Sequence, residues 1–288
     1  MATGLYSQHL HNRSIFYIRN SLIAVFLIAF AAVSLFPIVY MFAWSFGPAI
    51  ESASTSYNIF PGRWSLDSYK AFISFSNYSL KWIWNSIIVA TFTVLGNVIF
   101  AGMAGYAFSK IKFRGRSFLF FVILLSMMIP YQVTQVPLYI LIVKNFHMTN
   151  TYPALILPGM CTAYNIFMAK QFFQGIPTAL IESAKIEGCS QLMIFNKIIL
   201  PLSKTILSVM AINTFLNSWN TFFWPFLVTS KEEMYTIQVG LKTFKFANGS
   251  LLSPMMAGAC ISVIPMFVLF FSLQKYFLEG VTVGAVKG

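Results

Sequence analysis

Residues 181–201 read IESAKIEGCSQLMIFNKIILP and lie between two long apolar runs in a chain of 288 residues that has only seven acidic side chains. Two of those seven, Glu182 and Glu187, fall in this one stretch. The segment TALIESAKIEG, residues 178–188, predicts a short helix that ends at Gly188, because glycine takes the left-handed backbone that closes helices at little cost. Helical spacing puts Leu180, Ile181 and Ala184 on one face and Glu182 and Lys185 on the other. Ser190 can then cap a second helix that runs toward Pro201. That second helix is apolar nearly all round, so it must be covered. Its own bundle, a lipid interface or a partner's groove would each do so, and spacing alone does not choose among them.

The surrounding composition is that of a membrane protein. The chain is 58% hydrophobic and 9% charged, against roughly 25% charged in a soluble domain. Six stretches without Asp, Glu, Lys or Arg are long enough to cross a bilayer core, which takes about 20 residues. They are 21–46, 82–109, 117–143, 145–169, 205–230 and 246–274. The expected fold is therefore all-α, an integral membrane protein with six transmembrane helices. The first run is too long for a signal peptide and is kept as a span.

An even number of spans puts both termini on one side, and Lys and Arg choose the side. With the N-terminus inside, 12 of the 19 basic residues face the cytoplasm and 7 face outward. The cluster KIKFRGR, residues 110–116, is the strongest vote. Both termini are thus expected to be cytoplasmic. The expected organisation is a cytoplasmic N-terminus at 1–20, a six-helix permease domain at 21–278 that includes a cytoplasmic loop at 174–200, and a cytoplasmic tail at 279–288. The net charge of +12 fits topology and contact with anionic membrane lipid, and no nucleic acid is expected as a partner.

The outer loop at 47–81 has room for a short helix or two, as a partner platform or a spacer. Prolines at 130, 137, 158, 225 and 265 fall inside the spans, where each removes a backbone hydrogen bond, so kinks or breaks are expected. Ala101 and Gly105, four apart, suit close helix packing.

Several chemistries are disfavoured. No acidic residue lies in any of the six runs, and the three histidines lie outside them, which leaves no buried proton relay and no metal cluster. The three cysteines are scattered, without metal-ligand spacing. The phosphate-cradling pattern GxxxxGK[ST] is missing, so energy for active transport would have to enter from another polypeptide. What the runs do contain is uncharged polarity: Tyr164 and Asn165 in the fourth, and Asn213, Asn217, Trp219 and Asn220 in the fifth. Asn213, Asn217 and Asn220 share one helical face. Amides can bond sugar hydroxyls, and Trp219 or Trp224 can offer a flat apolar face to a sugar ring. The same residues also suit bonding between helices and interfacial anchoring, and both roles stay open.

The opening stretch resembles the EAA loop of binding-protein-dependent ABC importer permeases, whose pattern is E-A-A-x3-G-x9-I-x-L-P. Glu182, Ser183, Ala184, Gly188, Ile198, Leu200 and Pro201 occupy it with every spacing kept, and Ser183 is the departure beside the glutamate. The segments NSIIVATFTVLGNVIFAGMAGYAFSKIKFRGR (85–116), MMIPYQVTQVPLYILI (127–142), NTFLNSWNTFFWPF (213–226) and QKYFLEGVTVGAVKG (274–288) are similar to the carbohydrate branch of that family, and in particular to its MalG-like second permease subunit.

The resemblance implies a type I ABC importer permease (MetI-like) fold in a bacterial cytoplasmic (inner) membrane. It implies a non-catalytic subunit that forms half of a pathway for an oligosaccharide. Its partners would be a second related permease in a heterodimer, two ATP-binding subunits and an extracytoplasmic solute-binding protein. No cofactor would be bound by this chain, with ATP and Mg held on the ATPase subunits. Residues 178–197 would be the coupling helices, with Glu182 reaching a basic residue of one ATPase. The tail from Glu279 to Gly288, expected to be extended, would touch the ATPase pair. Ala247, Asn248 and Gly249 would reach toward the binding protein, although a flexible loop is an equal reading. The alternatives are an ABC permease for a polyamine, amino acid or glycerol phosphate, or a stand-alone carrier or channel.

Overall fold

Backbone hydrogen bonds in an apolar solvent must be made within the segment, and the chain answers with helices. The computed structural model describes residues 2–49, 58–249 and 251–285, and their side chains in 19–49, 58–249 and 251–275. Helix α1 spans Ala2–Ser45 and keeps its helical form through Pro37. Its apolar surface is open along the run, with Leu22, Phe26, Phe30 and Val33 all more than half exposed, a surface for lipid or another apolar chain to cover. The outer loop supplies one short helix, α2, at Asp67–Ser74, and residues 50–57 lie outside the described residues.

Helix α3, Ser79–Lys110, is followed by the basic turn and α4, Arg116–Ser126. Pro130 precedes α5, Tyr131–Tyr139, which runs into a π-helical turn at Ile140–Asn145. The two parts of this run meet at 99°, so the expected break at Pro130 is present. The fourth apolar run is not one helix. Its described parts are α6 at Tyr152–Ile156, a 3-10 turn at Leu157–Gly159 and α7 at Ala163–Gln174. Pro153 and Pro158, at the starts of α6 and of the 3-10 turn, each lack the amide hydrogen that would continue the preceding turn.

The loop of interest forms α8, Thr178–Ile186, and α9, Gln191–Ile194. A π-helical turn at Phe195–Ile199 and the short α10, Leu200–Leu202, lead into α11, Lys204–Asn220, at 85°. After α12, Phe223–Val228, the connection is not loose, since it carries α13 at Ile237–Ala247. Trp82 Nε1 donates to the Glu232 carbonyl at 2.9 Å, Asn85 Nδ2 donates to the carbonyls of Glu233 and Tyr235, and the Ile237 amide donates to Ser86 Oγ. Helix α14, Leu252–Ala285, passes through Pro265 unbroken. The tail expected to be extended is helical through Ala285, with no proline there to stop it, and residues 286–288 lie outside the described residues.

Three helical stretches among the described residues, Arg19–Ser45, Ser79–Lys110 and Leu252–Lys275, are long and apolar enough to cross a membrane, or five if each bent pair is one span. The chain divides into two compact units, Met1–Phe72 with Asn248–Cys260 and Ile73–Ala247 with Ile261–Gly288. In the first, Ser45 Oγ and Tyr69 Oη are 2.9 Å apart, and Ser68 Oγ donates to the Gly47 carbonyl at 2.6 Å. The second holds the main core, in which α3 packs along α7 and α11.

Candidate functional site: a polar cavity and an apolar turn

The α3–α7 contact is made close by small residues. Ala101 is fully buried, and a Cβ added at Gly105 would stand 2.5 Å from Ala169 Cβ and 2.9 Å from the Lys170 amide nitrogen. Above this seam an amide network closes the break in the fourth run. Asn97, fully buried on α3, donates through Nδ2 to the Gly159 carbonyl at 2.8 Å and to Thr162 Oγ1 at 3.2 Å. Asn165 Nδ2 in turn donates to Asn97 Oδ1 at 2.6 Å and to Thr214 Oγ1 at 2.8 Å. The polar groups freed by the interrupted helix thus find partners on α3 and α11, as backbone in an apolar setting requires.

Beside this network lies a cavity of about 850 Å³, within the roughly 300–1,000 Å³ typical of small-molecule sites. Four of the six expected pathway residues, Tyr164, Asn165, Asn213 and Asn217, come to its wall, together with Trp224. Tyr164 is half exposed, whereas Trp224 is buried and donates from Nε1 to the Ala154 carbonyl at 2.9 Å. The amides of α11 do not bridge between helices. Asn217 Nδ2 donates to the Asn213 carbonyl at 2.8 Å and to Asn213 Oδ1 at 3.2 Å, and Asn220 Nδ2 donates to the Leu216 carbonyl.

Two expected residues are placed elsewhere. Asn220 is exposed but is not part of the wall. Trp219 is 1% exposed, stacked on Phe215 with centroids 5.3 Å apart, and its Nε1 donates to the Ser262 carbonyl at 3.0 Å. Its indole face is used in packing, so Trp219 offers no platform to the cavity. Sequence reasoning missed Asn97 and the hydroxyl groups of the wall, Thr93, Tyr131, Thr134 and Thr162. Asn97 was signalled by a lone amide in an apolar run; the hydroxyls were not, because Thr and Ser are ordinary in membrane helices.

The turn at the other end of the core follows the sequence closely. Gly188 has φ +83°, the Cys189 amide donates to the Ala184 carbonyl at 3.0 Å, and the Gly188 amide donates to the Lys185 carbonyl at 3.0 Å. This paired closure is the Schellman geometry, which glycine adopts without strain. Ser190 Oγ then accepts from the Met193 amide at 3.3 Å and caps α9. Ile181, Ala184, Ile194, Phe195 and Ile199 enter the same core as Ala101 and Ala169. Tyr106 Oη donates to Gln191 Oε1 at 2.8 Å, which ties α3 to the start of α9.

The outward face is apolar as well. Leu180, Ile186, Leu192 and Met193 are 44%, 89%, 58% and 41% exposed. Leu180 therefore does not share the buried face of Ile181 and Ala184 as expected; one residue, about 100° of helix, separates it from Ile181. Glu182, Ser183, Gly188 and Pro201 are exposed, while Ile198 and Leu200 are half-buried against the core. Glu182 makes no ion pair among the described residues, where Lys81 and Glu233 form the pair, at 3.8 Å. Ala247 ends α13 exposed, and Asn248 and Gly249 follow in a turn in which the Leu251 amide donates to the Asn248 carbonyl at 2.8 Å.

A bundle with a polar cavity and a helix–turn–helix that is apolar on both faces is the build of a transporter's membrane subunit. Residues 97–283 match the family of binding-protein-dependent transport system inner membrane components, and the chain belongs to that family. It is 36% identical, over 91% of its length and 93% of the relative's, to the arabinooligosaccharides transport system permease protein AraQ of Halalkalibacterium halodurans. To the galactooligosaccharides transport system permease protein GanQ of Bacillus subtilis it is 35% identical, over 93% and 95%. A crystal structure of a bacterial ABC transporter involved in the import of the acidic polysaccharide alginate contains a similar chain, with a TM-score of 0.79, 25% identity, and coverage of 90% of this chain and 96% of that one. The chain is thus a multi-pass inner-membrane permease of the ABC importers, a class in which the ATPase is a separate subunit.

Proposed function

We propose that this chain is the non-catalytic permease subunit of an ATP-driven, binding-protein-dependent oligosaccharide importer. It forms half of the pathway, in a heterodimer with a second related permease, above two ATP-binding subunits that hold ATP and Mg. An extracytoplasmic solute-binding protein delivers cargo, with Ala247, Asn248 and Gly249 on the side that meets it. The chain crosses six times, with both termini and residues 174–200 in the cytoplasm, and the tail from Glu279 reaches the ATPase pair. The relatives named for arabino- and galactooligosaccharides, and the solved transporter named for a polysaccharide, support a saccharide as cargo.

The observation that carries this reading is the turn at Gly188. One face of α8 and α9 is locked in the core while the other presents Ile186, Leu192, Met193 and the unpaired carboxylate of Glu182. An exposed apolar patch with a charge at its edge is the pattern of a partner's groove. Docked there, the ATPase has a grip on both sides of the turn. To drive the permease from 1:99 to 99:1 outward-facing, the ATP-closed pair must bind the outward form better by about 5.5 kcal/mol, and a buried apolar contact with a charge pair can supply differential affinity on that scale.

The test is co-purification and uptake with Glu182→Ala and Gly188→Pro. Glu182→Ala is expected to weaken ATPase docking with the helices intact. Gly188→Pro should do so more severely, since proline's fixed negative φ forbids the +83° turn. Wild-type docking and uptake in both variants would refute the assignment.

A further inference from the structure

We infer that the cargo accepted by this cavity is a neutral, hydroxyl-rich saccharide, and that its wall selects against uronic-acid chains. The inference rests on the permease reading above and adds the charge of the substrate. None of the residues that line the cavity is Lys, Arg, His, Asp or Glu. The groups that face a ligand are of one chemical kind: the phenols of Tyr131 and Tyr164, the amides of Asn213 and Asn217, and the hydroxyls of Thr134 and Ser218. Each is a neutral donor and acceptor, and a sugar hydroxyl, itself both, exchanges water for such groups with little loss.

A carboxylate does not. Taken from water into a space among apolar helices, it requires a cation or several aimed donors, and an unpaired charge there is heavily penalised. The nearby outer lysines do not provide the cation. Lys81 is engaged with Glu233 at 3.8 Å, Lys242 lies over the Phe222 ring at 5.9 Å, and neither is part of the wall. The amides of α11 are also preset. Asn213 and Asn217 are fixed to each other along their own helix, so a sugar meets oriented groups and need not order them, which favours affinity. Asn217 is the specificity-determining position to examine, because it is exposed at the wall and substitution there disturbs no packed neighbour.

The experiment uses proteoliposomes with the whole importer and its binding protein, and chain-length-matched neutral trisaccharides and trigalacturonate as probes. The quantity read is the KM for uptake divided by the Kd of the binding protein alone for the same sugar, so that screening by the binding protein is divided out. Uptake of a neutral trisaccharide is expected, and Asn217→Ala should raise the ratio by roughly three- to tenfold, as for one lost hydrogen bond. Asn217→Gln should recover most of the loss. Import of trigalacturonate at a ratio as low as that of the neutral sugar would overturn the inference and leave the permease reading intact. A ratio unmoved by Asn217→Ala would overturn it too. If no ATPase co-purifies and no sugar drives ATP hydrolysis, the permease reading itself falls and takes this one with it.

Discussion

The cavity wall and the turn at Gly188 break the usual rule of burial in opposite directions. Among apolar helices, where polar groups are costly, the wall gathers phenols, amides and hydroxyls. In a connecting loop, where polarity is the norm, the turn exposes Ile186, Leu192 and Met193. Each misplaced chemistry marks something the isolated chain does not contain, a solute in the first case and a protein surface in the second. The two regions share one core, since Ile181 and Phe195 of the turn and Ile166 and Met210 of the cavity helices belong to the same cluster.

The strongest way to break this comparison is to separate the regions. Gly105→Leu forces side-chain atoms against Ala169 and the Lys170 backbone, neither of which can swing away. Overpacking of this kind costs more than about 3 kcal/mol at such a rigid site, and the chain should fail to give a monodisperse peak in detergent. Next, Asn97→Leu strands the Gly159 carbonyl and the Asn165 amide. The expected loss is about 2–3 kcal/mol, seen as a lower unfolding midpoint, together with weakened uptake while the ATPase still binds. Ile186→Asp sharpens the contrast from the other side. Docking of the ATPase should weaken by about tenfold, or ~1.4 kcal/mol, as read by pull-down titration, with the unfolding midpoint unchanged because Ile186 touches no core. The smallest effect is that of Tyr106→Phe, which removes only the hydroxyl bonded to Gln191. It should cost about 1 kcal/mol and lower the uptake obtained per ATP hydrolysed more than it lowers docking.

The turn was far more legible in sequence than the cavity. Gly188 and Ser190 are local signals, since each acts through its own backbone within a few residues, and both occur where the spacing put them. Ala101 and Gly105 were readable for a similar reason, because small residues four apart have few other uses in an apolar helix. Leu180 was misread because its neighbours Ile181 and Ala184 alone were enough to satisfy the core. The fourth run looked continuous because hydropathy does not register that Pro153 and Pro158 interrupt it, and the amide that repairs the break, Asn97, is 62 residues from Gly159. Trp219 was credited to the pathway on its ring alone. Its neighbour one turn back, Phe215, claims that ring, and only packing reveals it.

The missing Cβ atoms at the crossing of α3 and α7 have a mechanical consequence. With Gly105 against Ala169, the backbones meet with no flexible side chain between them. Such a joint has no slack to absorb a displacement, so α3 and α7 travel as one stiff beam. A small shift applied where α9 hangs from Tyr106 arrives undiminished at the floor of the cavity, as a lever delivers at one end what is done at the other.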